Sequence, residues 1–132
     1  MELIYLDSCL VIHLVERHPE FGAKVRTHLA AAHDARFAVS ALTRLEVLTG
    51  PLRNQDKALV TRFEVFLAAH RMLPINDLVV NEALALRVAG LKTPDALHMA
   101  LAQHHGCTAL WTNDDRLAKI LPGFSRNLVR DS

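Results

Sequence analysis

The sequence predicts an α/β domain with a central, mostly parallel sheet, and three observations point there. Short apolar runs alternate with helical stretches along the chain. Hydrophobic residues make up 51% of the 132 and charged ones 22%, the balance of a globular protein. No repeat, low-complexity stretch or linker interrupts the alternation, so residues 1–132 read as a single domain long enough to bury a core. Aromatic residues are only 5%, while Ala and Leu abound, so the core is expected to be aliphatic.

The elements follow in order. Leu3, Ile4, Tyr5 and Leu6 form a short apolar run that reads as a buried strand, ending at Asp7 and Ser8, both good helix N-caps. Residues 9–16 read as a helix, and 21–32 as a second, with Val25, Leu29 and Ala32 at helical spacing. Residues 36–39 read as a strand, followed by Ser40 and Thr43 as capping residues. The helix holding Leu45, Glu46 and Leu48 is expected to be short and to stop at Gly50-Pro51. From 55 to 70 the residues Leu59, Phe63, Phe66 and Leu67 recur at helical spacing, an amphipathic helix. Residues 72–75 read as a third strand, at an edge or near its end because of Pro74. A helix over 79–88 closes near Gly90. Thr93, Pro94 and Asp95 then give a cap residue, a first-position proline and a first-turn acid, opening a helix to about His105 with Gly106 as its stop. Residues 108–111 read as a strand, Asn113 and Asp114 cap a short helix to about Leu121, and 124–129 read as a final strand.

Charge and cysteine content narrow the function classes. The formal net charge is +1, which by itself points to neither nucleic acid nor a membrane surface. Cys9 and Cys107 are too few for a disulfide framework and form no metal-ligand pair; in apolar surroundings they read as buried free thiols in a reducing compartment. The first residues lack a signal peptide's basic region and cleavage site, and no apolar run approaches the roughly 20 residues needed to span a bilayer. A cytoplasmic enzyme or regulator is the expectation.

The acids carry the chemical information. Asp7 and Asp114 each follow a strand, while Glu46 and Asp95 lie in the first turns of helices. In an open parallel sheet, strand C-ends and following helix N-termini share one edge, where ligands bind. Two carboxylates about 5 Å apart repel by roughly 3 kcal/mol at an effective dielectric near 20. Helix N-termini offset part of this, and a divalent cation offsets the rest; all-oxygen ligands favour Mg²⁺ or Mn²⁺ over zinc. Such an ion can activate water and stabilise charge on a phosphodiester. Each acid also has a plain structural reading. Asp7 and Asp114 can serve as caps, Glu46 can close a capping box with Thr43, and Asp95 can complement a helix dipole.

The motifs, taken together and in order, resemble the PIN-domain family, in particular VapC-like toxins of bacterial toxin–antitoxin pairs. They are Tyr5-Leu6-Asp7-Ser8, the segment from Ser40 through Thr43, Arg44 and Glu46 to Gly50, the segment from Leu91 through Thr93-Pro94-Asp95 and His98 to Ala100, and Thr112-Asn113-Asp114. The resemblance implies a three-layer α/β/α sandwich and a Mg²⁺- or Mn²⁺-dependent endoribonuclease. It further implies Asp7, Glu46, Asp95 and Asp114 as the catalytic metal ligands. Ser8, Thr112 and Asn113 would orient carboxylates or water, and Asp115 is an extra acid that could replace Asp114. Arg44 and Arg116 flank two of the motifs and are candidates for contacting RNA phosphates or an antitoxin's acidic groups, as well as for plain solvated arginines. A small cognate antitoxin and a homodimer are the implied partners.

Rival readings fit fewer residues. His98, His104 and His105 near Cys107 suggest zinc, but no i,i+4 ligand pair is present, and surface or capping histidines account for them. A phosphoacceptor regulator needs a lysine after a late strand, where Trp111-Thr112-Asn113-Asp114 offers none. A haloacid-dehalogenase-like phosphatase needs an Asp two residues after Asp7, where Cys9 stands. A PIN-like domain that binds RNA or protein without cutting is the remaining alternative.

Overall fold

Five strands, all parallel, form a single sheet in the order β3-β2-β1-β4-β5 in the computed structural model, which describes residues 2–128. The strands are β1 (Leu3–Leu6), β2 (Arg36–Ser40), β3 (Arg71–Leu73), β4 (Ala109–Thr112) and β5 (Ser125–Asn127). Between them run α1 (Ser8–Val15), α2 (Phe21–Ala31), α3 (Ala41–Arg53), α4 (Lys57–Ala68), α5 (Asp77–Val88), α6 (Thr93–His104) and α7 (Asp115–Ile120).

Alternation along the strands builds a core on each side of the sheet. Ile4, Leu6, Val39 and Trp111 face α1, α2, α4 and most of α3, packing on Leu10, Val25, Val47 and Phe63. Tyr5, Ala38 and Leu110 face the opposite layer, packing on Val79, Met99, Leu101 and Leu117 of α5, α6 and α7. The result is the expected α/β/α sandwich. Small residues of α6, Ala96, Ala100 and Ala102, are buried and let that helix lie close to the sheet. The core is mainly aliphatic, with Tyr5 and Phe63 fully enclosed.

Several boundaries differ from the sequence reading. The helix expected to stop at Gly50-Pro51 continues to Arg53. Pro51 forfeits only its own N–H, because it lies in the last turn; Asn54 still donates to the Gly50 carbonyl at 2.9 Å and Asp56 to that of Pro51 at 2.9 Å. Glu46 therefore lies in the second turn of α3, not the first. The capping box at its start pairs Ser40 with Thr43, which frees Glu46 from that duty. Lys92 rather than Thr93 is the N-cap residue of α6, and it supplies no side-chain cap. β5 is shorter than expected; of the predicted span, Val129 lies outside the described residues.

Strand order positions the site. From β1 the chain runs outward through β2 to β3, then crosses back to lay β4 on the other side of β1. The ends of β1 and β4 thus flank a topological switch point, the crevice where open α/β sheets bind ligands.

Candidate active site at the sheet's C-terminal edge

Leu6 pairs with Trp111, so the residues that follow β1 and β4 emerge side by side. Asp7 is the N-cap residue of α1 and Asp114 that of α7. Asp95 enters the same edge in the first turn of α6, and Glu46 reaches it from α3.

Asp7 is held hardest. It is 8% exposed, and its Oδ1 accepts the Ser8 N–H at 2.8 Å. Its Oδ2 accepts the Thr112 hydroxyl at 2.6 Å and the Cys9 thiol at 3.2 Å. A buried carboxylate with three donors stays where the strand delivers it. Cys9 is half-buried, packed against the apolar core on one side and in contact with Asp7 and Thr112 on the other, and burial followed by the Asp7 charge pushes its thiol pKa up. Thr112 also accepts the Asp114 N–H at 3.0 Å, so one hydroxyl ties both strand-end acids together.

Glu46 Oε1 accepts the Ser8 hydroxyl at 2.8 Å and is bonded to His98 Nε2 at 2.6 Å. Burial alone would push the Glu46 pKa up, but the hydrogen bond and electrostatic pull of His98, with Ser8, outweigh it and hold the carboxyl below its usual range. Asp95 behaves oppositely. Burial, then the Asp114 carboxylate, raises its pKa; Asp7 adds to the rise, while Arg116 and His98 oppose it. Arg116 is exposed and donates to Asp114 Oδ2 at 3.3 Å.

The remaining sequence candidates divide. Asn113 turns its amide to His13 Nε2 at 2.7 Å, away from the carboxylates. Asp115 accepts the Asn127 amide at 2.9 Å, whereas Asp114 is the acid felt by Asp95. Arg44 pairs with Glu64 on α4 at 3.0 Å and is not gathered with the acids. His98, read from sequence as a surface or capping residue, is instead 2% exposed, with Nε2 3.6 Å from Asp7 Oδ1 as well as bonded to Glu46. The signal for it was its spacing: three residues beyond Asp95, it falls on the same helical face.

Among the described residues, no three His, Cys, Asp or Glu side chains converge closely enough in this arrangement to share one ion. Glu46 is drawn to His98 and Asp114 to Arg116. The chemistry of the donors nevertheless suits a hard divalent cation. All four are carboxylates, and the raised pKa of Asp95 registers negative charge from Asp114 and Asp7 that such a cation would balance.

The PIN-domain family model matches residues 4–120, a span that takes in all four acids. This chain belongs to the PIN-domain family. Ribonuclease VapC46 of Mycobacterium tuberculosis is 35% identical over 125 residues, covering 89% of this chain and 88% of that protein. Two solved structures share the fold. A toxin–antitoxin complex from Klebsiella pneumoniae has a TM-score of 0.77 at 23% identity, covering 95% of this chain and 97% of that one. VapBC2 from Rickettsia felis, bound to a DNA fragment from its promoter, has a TM-score of 0.78 at 16% identity, covering 94% and 97%. In this PIN domain, then, α3, α6 and the two strand ends bring Asp7, Glu46, Asp95 and Asp114 to one edge, with His98 among them.

Proposed function

We propose that this chain is a divalent-metal-dependent endoribonuclease, the toxin of a toxin–antitoxin pair. The observation that carries the proposal is positional: Asp7 and Asp114 stand at the ends of neighbouring strands, with Asp95 in the first turn of α6 and Glu46 of α3 beside them. The 35% identity to ribonuclease VapC46 supports RNA as the substrate. Asp7, Glu46, Asp95 and Asp114 are the residues that would hold Mg²⁺ or Mn²⁺. When bound, the cation would supply the positive charge that lowers the pKa of an attacking water and stabilises the phosphodiester's developing charge.

The chain's own residues do the rest. Ser8, Cys9 and Thr112 fix the Asp7 carboxylate, so its position does not depend on what binds. Thr112 holds the turn carrying Asp114 in register with Asp7. Arg116, exposed beside Asp114, is placed to meet a substrate phosphate oxygen, exchanging one anionic partner for another. Removing it should weaken RNA binding more than turnover.

The partners proposed are a small antitoxin and a second copy of the chain, in the cytoplasm. Exposed apolar side chains on α3, α4 and α5, among them Leu45, Leu52, Val65, Leu84 and Val88, supply surface of the kind that protein contacts cover. No helix among the described residues is long and apolar enough to cross a membrane. The test is cleavage of RNA by the purified, antitoxin-free protein with Mg²⁺ or Mn²⁺. Discrete, metal-requiring fragments support the proposal. RNA or protein binding without cleavage under either metal supports a non-catalytic binding domain instead.

A further inference from the structure

The opposite edge of the sheet, where the strands begin, gathers positive charge that the proposed chemistry does not use. Arg36 opens β2 and Arg71 opens β3, while α1 and α4 end nearby at Val15 and Ala68. Two adjoining grooves lie there. One, of about 480 Å³, runs between the end of α1 and α4, and Arg17, Arg62 and His70 line it. The other, of about 460 Å³, continues between the starts of β2 and β3, lined by Arg36, His70 and Arg71. Ala69 and His70 line both, so the two form one trough, and no Asp or Glu lines either part.

These charges are not neutralised within the chain. All four arginines are exposed, and among the described residues none of them is in an ion pair. Arg62 donates to the Val15 carbonyl at the end of α1. Glu2 meets Arg36 through its backbone carbonyl, and Asp34 is turned to His33 at 3.6 Å. Ala38 pairs with Arg71, so Arg36, two residues earlier on β2, shares a sheet face with Arg71. Strand spacing and rise put their Cα atoms about 8 Å apart. Helix C-termini attract cations, which accounts for Arg17, Arg62 and His70 beside the ends of α1 and α4. It does not call for two like charges opening neighbouring strands.

Chemistry and position choose the occupant. The cations are arginines without a lysine, and the planar fork of arginine matches two phosphate oxygens. Four of them share one trough in a chain whose net charge is only +1, a local footprint for a polyanion. Asp7 caps the start of α1 and Arg17 follows its end. The eight residues between rise about 12 Å, so a strand lying on the acids can follow α1 to the trough. We infer that the trough is a second RNA-binding site, holding the phosphate backbone of the substrate away from the point of cleavage. That the polyanion is the substrate rests on the proposed function. The site meets backbone and not base edges, so it adds affinity for long or folded RNA and little for short fragments.

The test follows a fluorescein-labelled RNA hairpin of about 30 nucleotides by anisotropy, in EDTA so that nothing is cut. Arg36→Gln/Arg71→Gln should weaken binding about tenfold and lower the slope of log affinity against log salt by about 1.5, the share of two phosphate contacts. Arg36→Lys/Arg71→Lys should restore the slope. Arg53→Gln/Lys57→Gln, which removes the same charge at the exposed turn between α3 and α4, should change binding less than about twofold. With Mg²⁺ or Mn²⁺, Arg36→Gln/Arg71→Gln should raise KM about tenfold for the RNA that the wild type cuts, with kcat within about twofold. Cooperative unfolding of each variant separates these effects from loss of fold. Hairpin binding unchanged in Arg36→Gln/Arg71→Gln, or lost equally in Arg53→Gln/Lys57→Gln, would overturn the inference. So would hairpin binding lost with KM unmoved, which would give the trough to an anion other than the substrate. Displacement of the hairpin by poly-glutamate at equal charge concentration would also overturn it, in favour of an acidic protein segment. A wild type that cuts no RNA under either metal, yet loses hairpin binding in Arg36→Gln/Arg71→Gln alone, would sink the proposed function and leave the RNA site standing.

Discussion

The hydroxyl of Thr112 shows how much rests on single atoms at this edge. It donates to Asp7 and accepts from the Asp114 backbone, joining two acids that lie 107 positions apart in the sequence (114 − 7). Thr112→Val keeps the shape and leaves the Asp7 carboxylate short of one donor in a buried site. It should cost about 1–2 kcal/mol in urea denaturation, and weaken Mn²⁺ binding at the same time. Asp95 should behave in the opposite sense. Its folded pKa lies above its unfolded value, so ionising it opposes folding above that raised pKa and has no effect below the ordinary 3.8. Asp95→Asn should therefore raise the melting temperature of metal-free protein at pH 7, the gain shrinking as pH falls through the raised pKa. Glu46→Gln should destabilise at pH 7, because a depressed pKa contributes stability that is lost only as pH falls through it. A pair of melting series, pH 7 down to about 3, checks both signs. At this scale the sequence displayed the four acids as acids at helix starts or after strands, but not what each touches. His98 escaped because its spacing from Asp95 gives a shared helix face but not what it meets; its partners, Tyr5 and Glu46, come from elements far along the chain.

At the scale of elements, local rules worked where a side chain answers to its own segment. Asn76 caps α5 by accepting the Val79 N–H at 2.9 Å, and Asn76→Ala should lose about 1 kcal/mol of stability in the same urea assay. Asp56 and Asp114 cap α4 and α7 in the same way, through N–H groups of Leu59 and Arg116. The rules misled at Gly50-Pro51, where two helix breakers suggested an end. Val47 and Leu48 are buried against the sheet, and that packing holds α3 together to a proline that sits one turn from the C-terminus. The displacement matters for the site, since a longer α3 beginning at Ala41 puts Glu46 in the second turn, over His98 rather than at the helix mouth.

For the whole molecule, alternation of apolar runs with helices made a parallel α/β architecture legible, and the motifs in order implied the sandwich. Strand order was not written in any one segment. It follows from the crossing between β3 and β4, which places β4 against β1 and turns two distant strand ends into one edge. The acids therefore reach one edge because of topology, and the function proposed for them is a property of the assembled sheet. The most direct test of that account is cleavage of total RNA by purified protein in Mg²⁺ or Mn²⁺, beside an EDTA control and Asp7→Asn. Discrete fragments that require metal and vanish in a folded Asp7→Asn variant are the result the account predicts. Cleavage that persists in Asp7→Asn under saturating metal would contradict it.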